Sequence, residues 1–322
     1  MIKSLISLAV LGTLVTPVAY AAEAAKTETK EESNWSLTTN MGFVTDYRAR
    51  GVSQTWRKEA IQGGFDLTHS SGFYLGAFGS NVTPNTYPKA NVELDLYGGY
   101  NGEIKAVEGL GYTVGAIGYF YPNGSWDKYT LSNDTGGPGV RQTPQGGRWD
   151  TYEANAGISY KWLSAKASVT LGDWYGAEQK TGWTKSTRGT TYLELNAAIP
   201  TPLDGLTLIG HVGRLDVNGE LNKNFNSGTF PGVAGGSDPS GSLSGATKPD
   251  YTDYKVGLSY AFKVLNADGW NAGLYYIGNN NDNYWGSRGY GGTSFNGAGG
   301  TDFAESKNLN KDAAVFTLGR TF

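Results

Sequence analysis

About a dozen segments of roughly ten residues alternate apolar and polar side chains along this chain, and the last of them runs to the terminal residue. Ala314, Phe316, Leu318 and Phe322 share one face of that segment. Period-two alternation makes a strand with one apolar and one polar face, and every apolar face needs something apolar to cover it. The chain carries an export signal and no apolar run long enough for a helical span, so the simplest cover is the lipid of a bacterial outer membrane. The expected fold is all-β: a transmembrane, antiparallel, up-and-down β-barrel of twelve strands with both termini in the periplasm.

Export is written into residues 1–21. Lys3 supplies a positive start, Leu5 to Val18 an apolar stretch, and Ala19-Tyr20-Ala21 a small-x-small cleavage pattern that places the mature start at Ala22. The stretch is shorter than the ~20 residues that a membrane helix needs. Cleavage removes one Lys, which leaves 25 basic against 29 acidic side chains, net −4. A modestly acidic chain lacks the basic face that nucleic acid requires. An exported chain with 0 Cys has no disulfide framework, so a large sheet must supply its stability. Gly accounts for 48 of 322 residues, about twice the usual ~7% share. Glycine with Tyr and Trp in short alternating runs suits a closed sheet with aromatic girdles better than a secreted β-sandwich or β-helix.

Residues 22–34 are mostly Ala, Lys and Glu without an apolar face, and read as a disordered periplasmic lead-in; residues 35–322 form the barrel. The predicted strands are 35–50, 60–70, 73–82, 90–102, 110–121, 150–160, 163–171, 190–199, 206–215, 251–262, 270–278 and 313–322. Their connections run long and short by turns, as outer loops and periplasmic turns do in such barrels. The longest loops are 122–149, 216–250 and 279–312. The alternation leaves the two faces undecided for the segments around Leu75 and Leu208.

The run from Phe43 to Gln54, FVTDYRARGVSQ, resembles the SDYxxRGxSQ signature of the TorF porin family. The likeness continues through 60–82, 92–100 and 112–122, and thins beyond about residue 125. Thr45 replaces the usual Ser, and the second half is unusually long. The resemblance implies an outer-membrane channel, and names no solute.

The register places Asp46, Asp66, Glu93, Asp95, Glu153, Glu194 and Asp253 inward, against Arg48, Arg50, Lys166 and Lys255. Seven acids and four bases leave a lining of −3, which implies a weak cation preference. The same charges also suit internal ion pairs that plug the barrel. Arg48 and Arg50 fit either a constriction that reads anionic groups or a structural network with Asp46, Asp66 or Glu93 on adjacent strands, and the network is the favoured reading. Gly51 lets the chain turn out of the sheet there. Tyr97, Tyr119 and Tyr275 face inward as filling or as stacking platforms. Trp35, Tyr47, Tyr100, Tyr112, Phe120, Tyr160, Trp162, Phe262, Trp270, Tyr276 and Phe322 are the expected aromatic girdle.

The expected function is an outer-membrane porin-like channel for passive diffusion of small hydrophilic solutes or ions. Two other classes compete with it. A plugged barrel would act through its loops as a surface receptor or adhesin; NNNDN (279–283) and the Gly-rich run 289–300 offer oxygen ligands there, without calcium-loop spacing. A lipid hydrolase would need a Ser–His pair. His69 has Ser70 on the opposite face and Ser71 only at a short turn, and His211 has no Ser or Asn nearby on its strand. No catalytic residue, metal ligand or cofactor is assigned. The expected partners are outer-membrane lipid and lipopolysaccharide, small hydrophilic solutes, and the barrel-assembly machinery through the last strand. A monomer is expected. Arg320, third from the end, breaks the outward apolar series, at the low cost of a cation near the membrane surface.

Overall fold

The structure is a computed structural model that describes residues 33–125, 147–222, 245–287, 289–292 and 307–322. The export signal, nearly all of the lead-in and the middles of the three longest loops lie outside the described residues.

Among the described residues fourteen strands follow one another: β1 Trp35–Val44, β2 Arg48–Ala49, β3 Val52–Ser53, β4 Ala60–His69, β5 Phe73–Asn81, β6 Val92–Glu103, β7 Leu110–Phe120, β8 Thr151–Tyr160, β9 Leu163–Thr170, β10 Thr191–Pro200, β11 Leu206–Asp216, β12 Tyr251–Val264, β13 Ala267–Asn279 and β14 Ala313–Thr321. All but β2 and β3 join into one closed barrel of twelve antiparallel strands, the number the sequence predicts. Each strand pairs with the next, and β1 closes the ring against both β4 (Trp35 opposite His69) and β14 (Val44 opposite Thr317). Closure leaves the wall no unpaired edge.

The outer face is apolar all round: Leu37, Ile61, Leu96, Ile158, Leu193 and Leu274 are among its exposed side chains. The undecided segments resolve the same way, with Leu75 and Leu208 outward. The inner face alternates polar groups with glycines, and the glycine content has a packing cause. The inward Tyr97 ring lies against Gly76, and the phenol end of Tyr192 against Gly213, where any Cβ would collide with the side chain. Large rings fit inside a narrow lumen only where the neighbouring strand offers no side chain.

Short turns close one end and long loops the other. The 263–269 connection is tighter than expected. β12 and β13 stay paired up to a two-residue turn, Leu265-Asn266, whose φ values of 48° and 64° match the right-handed twist of the strands.

The main correction concerns the first strand, expected to reach Arg50. It leaves the wall after Val44, and residues 46–56 fold into the lumen, where β2 and β3 pair as a small hairpin of their own. Arg50 (φ 48°) and Gly51 (φ 79°) form its tip. The hairpin's own alternation continues the period of β1, so the pattern alone runs straight through the bend. Gly51 thus turns the chain inward rather than out of the sheet: a Cβ there would strike the Gly278 carbonyl oxygen of β13 and the Asp253 side chain of β12.

Candidate functional site

The hairpin crosses the lumen and is held at both ends by ion pairs. At its base, Arg48 Nε donates to Asp46 at 2.7 Å, and the Ser53 hydroxyl donates to the same carboxylate at 2.6 Å. Arg48 also reaches the Ile277 carbonyl of β13. At its tip, Arg50 makes a forked pair with Glu153 of β8, at 2.8 and 2.6 Å, and its guanidinium lies 4.1 Å from the centre of the Tyr192 ring of β10. β8 is across the barrel from β1. A planar guanidinium, matched to both carboxylate oxygens and stacked on a ring, fixes the tip in one place. The arginines therefore form a network, but Arg50 finds its partner across the lumen rather than on the adjacent strand.

The other inward charges are spread along the wall. Lys166 pairs with Glu194 at 2.6 Å, and Asp66 accepts from the Tyr97 hydroxyl at 2.7 Å. Glu93 and Asp95, two residues apart on β6, are buried side by side, and one oxygen of each has no hydrogen-bond partner. Asp253 accepts from Tyr192 at 3.0 Å and meets His211 Nε2 at 2.9 Å. Lys255 Nζ sits 5.6 Å from the centre of the Tyr275 ring. Tyr119 and Tyr275 face inward with Tyr97.

Sequence reasoning missed His211, whose Nδ1 lies 2.6 Å from the Asn196 oxygen on β10. On β11 the inward face also carries Ile209 and the fully buried Leu215, while Arg214 points outward. Both faces are therefore partly apolar, and the alternation that exposes other strands is blurred. The outward series Leu206, Leu208 and Val212 was the usable signal.

The outward aromatics fall into two groups. Trp35, Tyr100, Tyr112, Tyr160, Trp162, Phe262, Trp270 and Phe322 are near the short turns, and Phe120 and Tyr276 near the loops. Arg320 joins the turn-side group, 4.5 Å from the Phe322 ring centre and 5.5 Å from that of Trp270. Tyr47 is the exception and corrects the expectation: it is 3% exposed, packed edge-on to Phe78 inside the barrel. It follows the chain inward with the hairpin.

At the loop end, aromatic side chains from several loops meet above the hairpin. Tyr87 stacks on Tyr121 at 4.2 Å between ring centres, and Trp174, Trp183, Tyr251 and Trp285 continue the cluster at 6.1–6.3 Å. Burial, with nearby phenols and carboxylates, holds the Tyr87 and Tyr175 hydroxyls well above their ordinary pKa, so both stay neutral. The NNNDN segment serves structure: Asn281 caps the short helix Asp282–Trp285 by accepting from Tyr284, and Asn310 donates to Asp282. On the outside, at the turn end, His69 Nδ1 and the Ser71 hydroxyl are 2.6 Å apart, a local contact across two residues.

Residues 28–230 match the model of a family described as "Bacterial protein of unknown function (Gcw_chp)". No curated protein matches in sequence. Among solved structures, the KdgM porin is similar with a TM-score of 0.40 and 6% identity, over 88% of this chain and 98% of that one. The NanC porin gives 0.39 and 11%, over 89% and 99%. LpxR from Salmonella typhimurium gives 0.34 and 11%, over 88% and 99%. The functional reading rests on this chain's own geometry.

Proposed function

We propose, for a chain that belongs to the Gcw_chp family of bacterial proteins of unknown function, the role of an outer-membrane channel for passive diffusion of small hydrophilic solutes, narrowed by its own first loop. A closed barrel with an apolar outer wall and aromatic groups toward both rims suits lipid outside and water inside. The export signal and the asymmetry of long loops and short turns support loops facing outward and termini in the periplasm. The TorF-like signature at 43–54 supports the same assignment. Lipid, lipopolysaccharide around the loops and the assembly machinery at β14 are then its surroundings, and passive diffusion needs no cofactor.

The observation that carries the reading is the Arg50–Glu153 pair. A twelve-stranded lumen lies between small barrels that fill themselves with side chains and large porins that hold an open pore. Here one hairpin, tied to the far wall by two hydrogen bonds, sets the constriction. Asp66, Glu93, Asp95, Tyr97, Glu153, Lys166, Glu194, Asp253 and Lys255 line the proposed path. Three of the acids are neutralised by bases: Asp46 by Arg48, Glu153 by Arg50 and Glu194 by Lys166. Asp66, Glu93, Asp95 and Asp253 remain against Lys255, so the path favours cations weakly.

The test is single-channel recording of the folded protein in planar bilayers, with the reversal potential measured in a KCl gradient. Discrete openings with a modest cation preference are expected. Silence from folded protein would refute the channel. It would favour a plugged barrel that acts through its loops, a reading the buried hairpin also suits.

A further inference from the structure

Above the Arg50 hairpin, between the long loops, lies a cavity of about 90 Å³. Tyr87, Trp174, Tyr175, Trp183, Tyr251 and Trp285 line it, with Arg50 also on its wall. These rings come from separate connections: 82–91, 171–190, the start of β12, and the helix Asp282–Trp285. Two features set the cavity apart from ordinary apolar packing between loops.

The first is unpaired polarity. Trp183 Nε1 and Thr86 Oγ1 are buried without a hydrogen-bond partner, and both residues line the cavity. Buried polar groups in native folds are mostly satisfied, so two on residues that line one cavity mark where a small shift of the side chains would let a bound partner complete them. The second is backbone strain. Tyr175 (φ 47°, ψ 42°) holds the left-handed conformation with no hairpin turn to require it, and it lines this cavity. Strained non-glycine residues persist where the surroundings over-determine them, and they gather at ligand sites.

We infer that this cavity binds one neutral sugar ring at the outer mouth of the barrel, an inference that rests on the channel reading for how the sugar would travel onward. The size fits: at ~15 Å³ per water-sized sphere, the space holds about six waters, the bulk of a single six-membered ring. The chemistry fits better still. Aromatic faces pack against the C–H faces of a sugar, while its hydroxyls meet the indole N–H of Trp183 and the hydroxyl of Thr86. A wholly apolar ring would leave both groups unpaired. Among the described residues a charged sugar finds no counter-ion, because both terminal nitrogens of Arg50 already bind Glu153 and the neighbouring phenols are neutral.

The experiment titrates the folded full-length protein in detergent with methyl α-glucopyranoside and follows tryptophan fluorescence. Conductance without sugar is recorded separately. A saturable change is expected, since Trp174, Trp183 and Trp285 share the cavity. Trp183→Phe keeps the ring and removes the N–H, and should weaken binding about 5- to 10-fold, the effect of one neutral hydrogen bond. Thr86→Val should act in the same direction. Heat-modifiable gel migration checks that each variant is folded. No saturable change, unaltered binding in folded Trp183→Phe, or tighter binding of p-xylene than of the sugar would overturn the inference. A silent bilayer with sugar binding intact would sink only the channel.

Discussion

Replacing Arg50 by Ala tests whether the hairpin is a tied constriction or passive filling. The Arg50 and Glu153 side chains are 9% and 3% exposed, so their pair is buried. Removing one partner of a buried pair costs about 3–5 kcal/mol, chiefly because the other charge is left uncompensated. Ala gains nothing from the backbone, because it inherits the same left-handed conformation and its ~1–2 kcal/mol cost. Water entering the vacated lumen hydrates Glu153 in part, which places the expected loss at the low end, about 3 kcal/mol. Glu153→Gln made on top of Arg50→Ala removes the orphaned charge. The double variant should therefore be more stable than the single one, with a residual loss of about 1 kcal/mol for the missing hydrogen bonds. Urea unfolding in lipid vesicles, followed by tryptophan fluorescence, measures all three proteins. Planar-bilayer recording should show a larger single-channel conductance in both variants, since each lacks the bridge. A double variant no more stable than Arg50→Ala, or conductance unchanged in both, would refute the reasoning.

Three further outcomes are expected. Leu274→Arg, in the middle of the outward face, should cost about 2–4 kcal/mol of folding stability in bilayers, whereas Arg320→Leu at the rim should change it by no more than ~1 kcal/mol; equal effects would contradict the membrane assignment. Gly76→Ala should destabilise the barrel by roughly 1–3 kcal/mol through overlap with the Tyr97 ring, and Tyr97→Ala in the same chain should relieve that overlap, read by urea midpoints. Burial raises the Asp312 pKa, but hydrogen bonds from Tyr254 and Tyr276 outweigh it and hold the carboxyl below its usual value. Its contribution is thus fully present above the ordinary carboxylate range and lost as pH falls through the lowered value. Asp312→Asn should accordingly be less stable than wild type at neutral pH, and the difference should close only in strong acid.

The sequence by itself determined the wall. Alternation within one strand is local, so the side a residue faces follows from its neighbours two positions away. That is why Tyr100, Tyr160, Tyr276 and Phe316 read as outward, and Asp66, Glu93 and Glu153 as inward, before any strand was paired. Where both faces carry apolar groups, as on β11, the same logic could not choose, and His211 went unread. Only the tertiary structure decided what fills the lumen. Arg50 and Glu153 are 103 positions apart, and nothing local distinguishes a first strand that continues past Val44 from one that bends inward with its alternation intact. Tyr47 looked like a girdle residue for the same reason. The aromatic cavity depends on loops from several connections meeting once the barrel closes. Closure creates an interior that no single segment encodes, and the contacts across it belong to the ring as a whole.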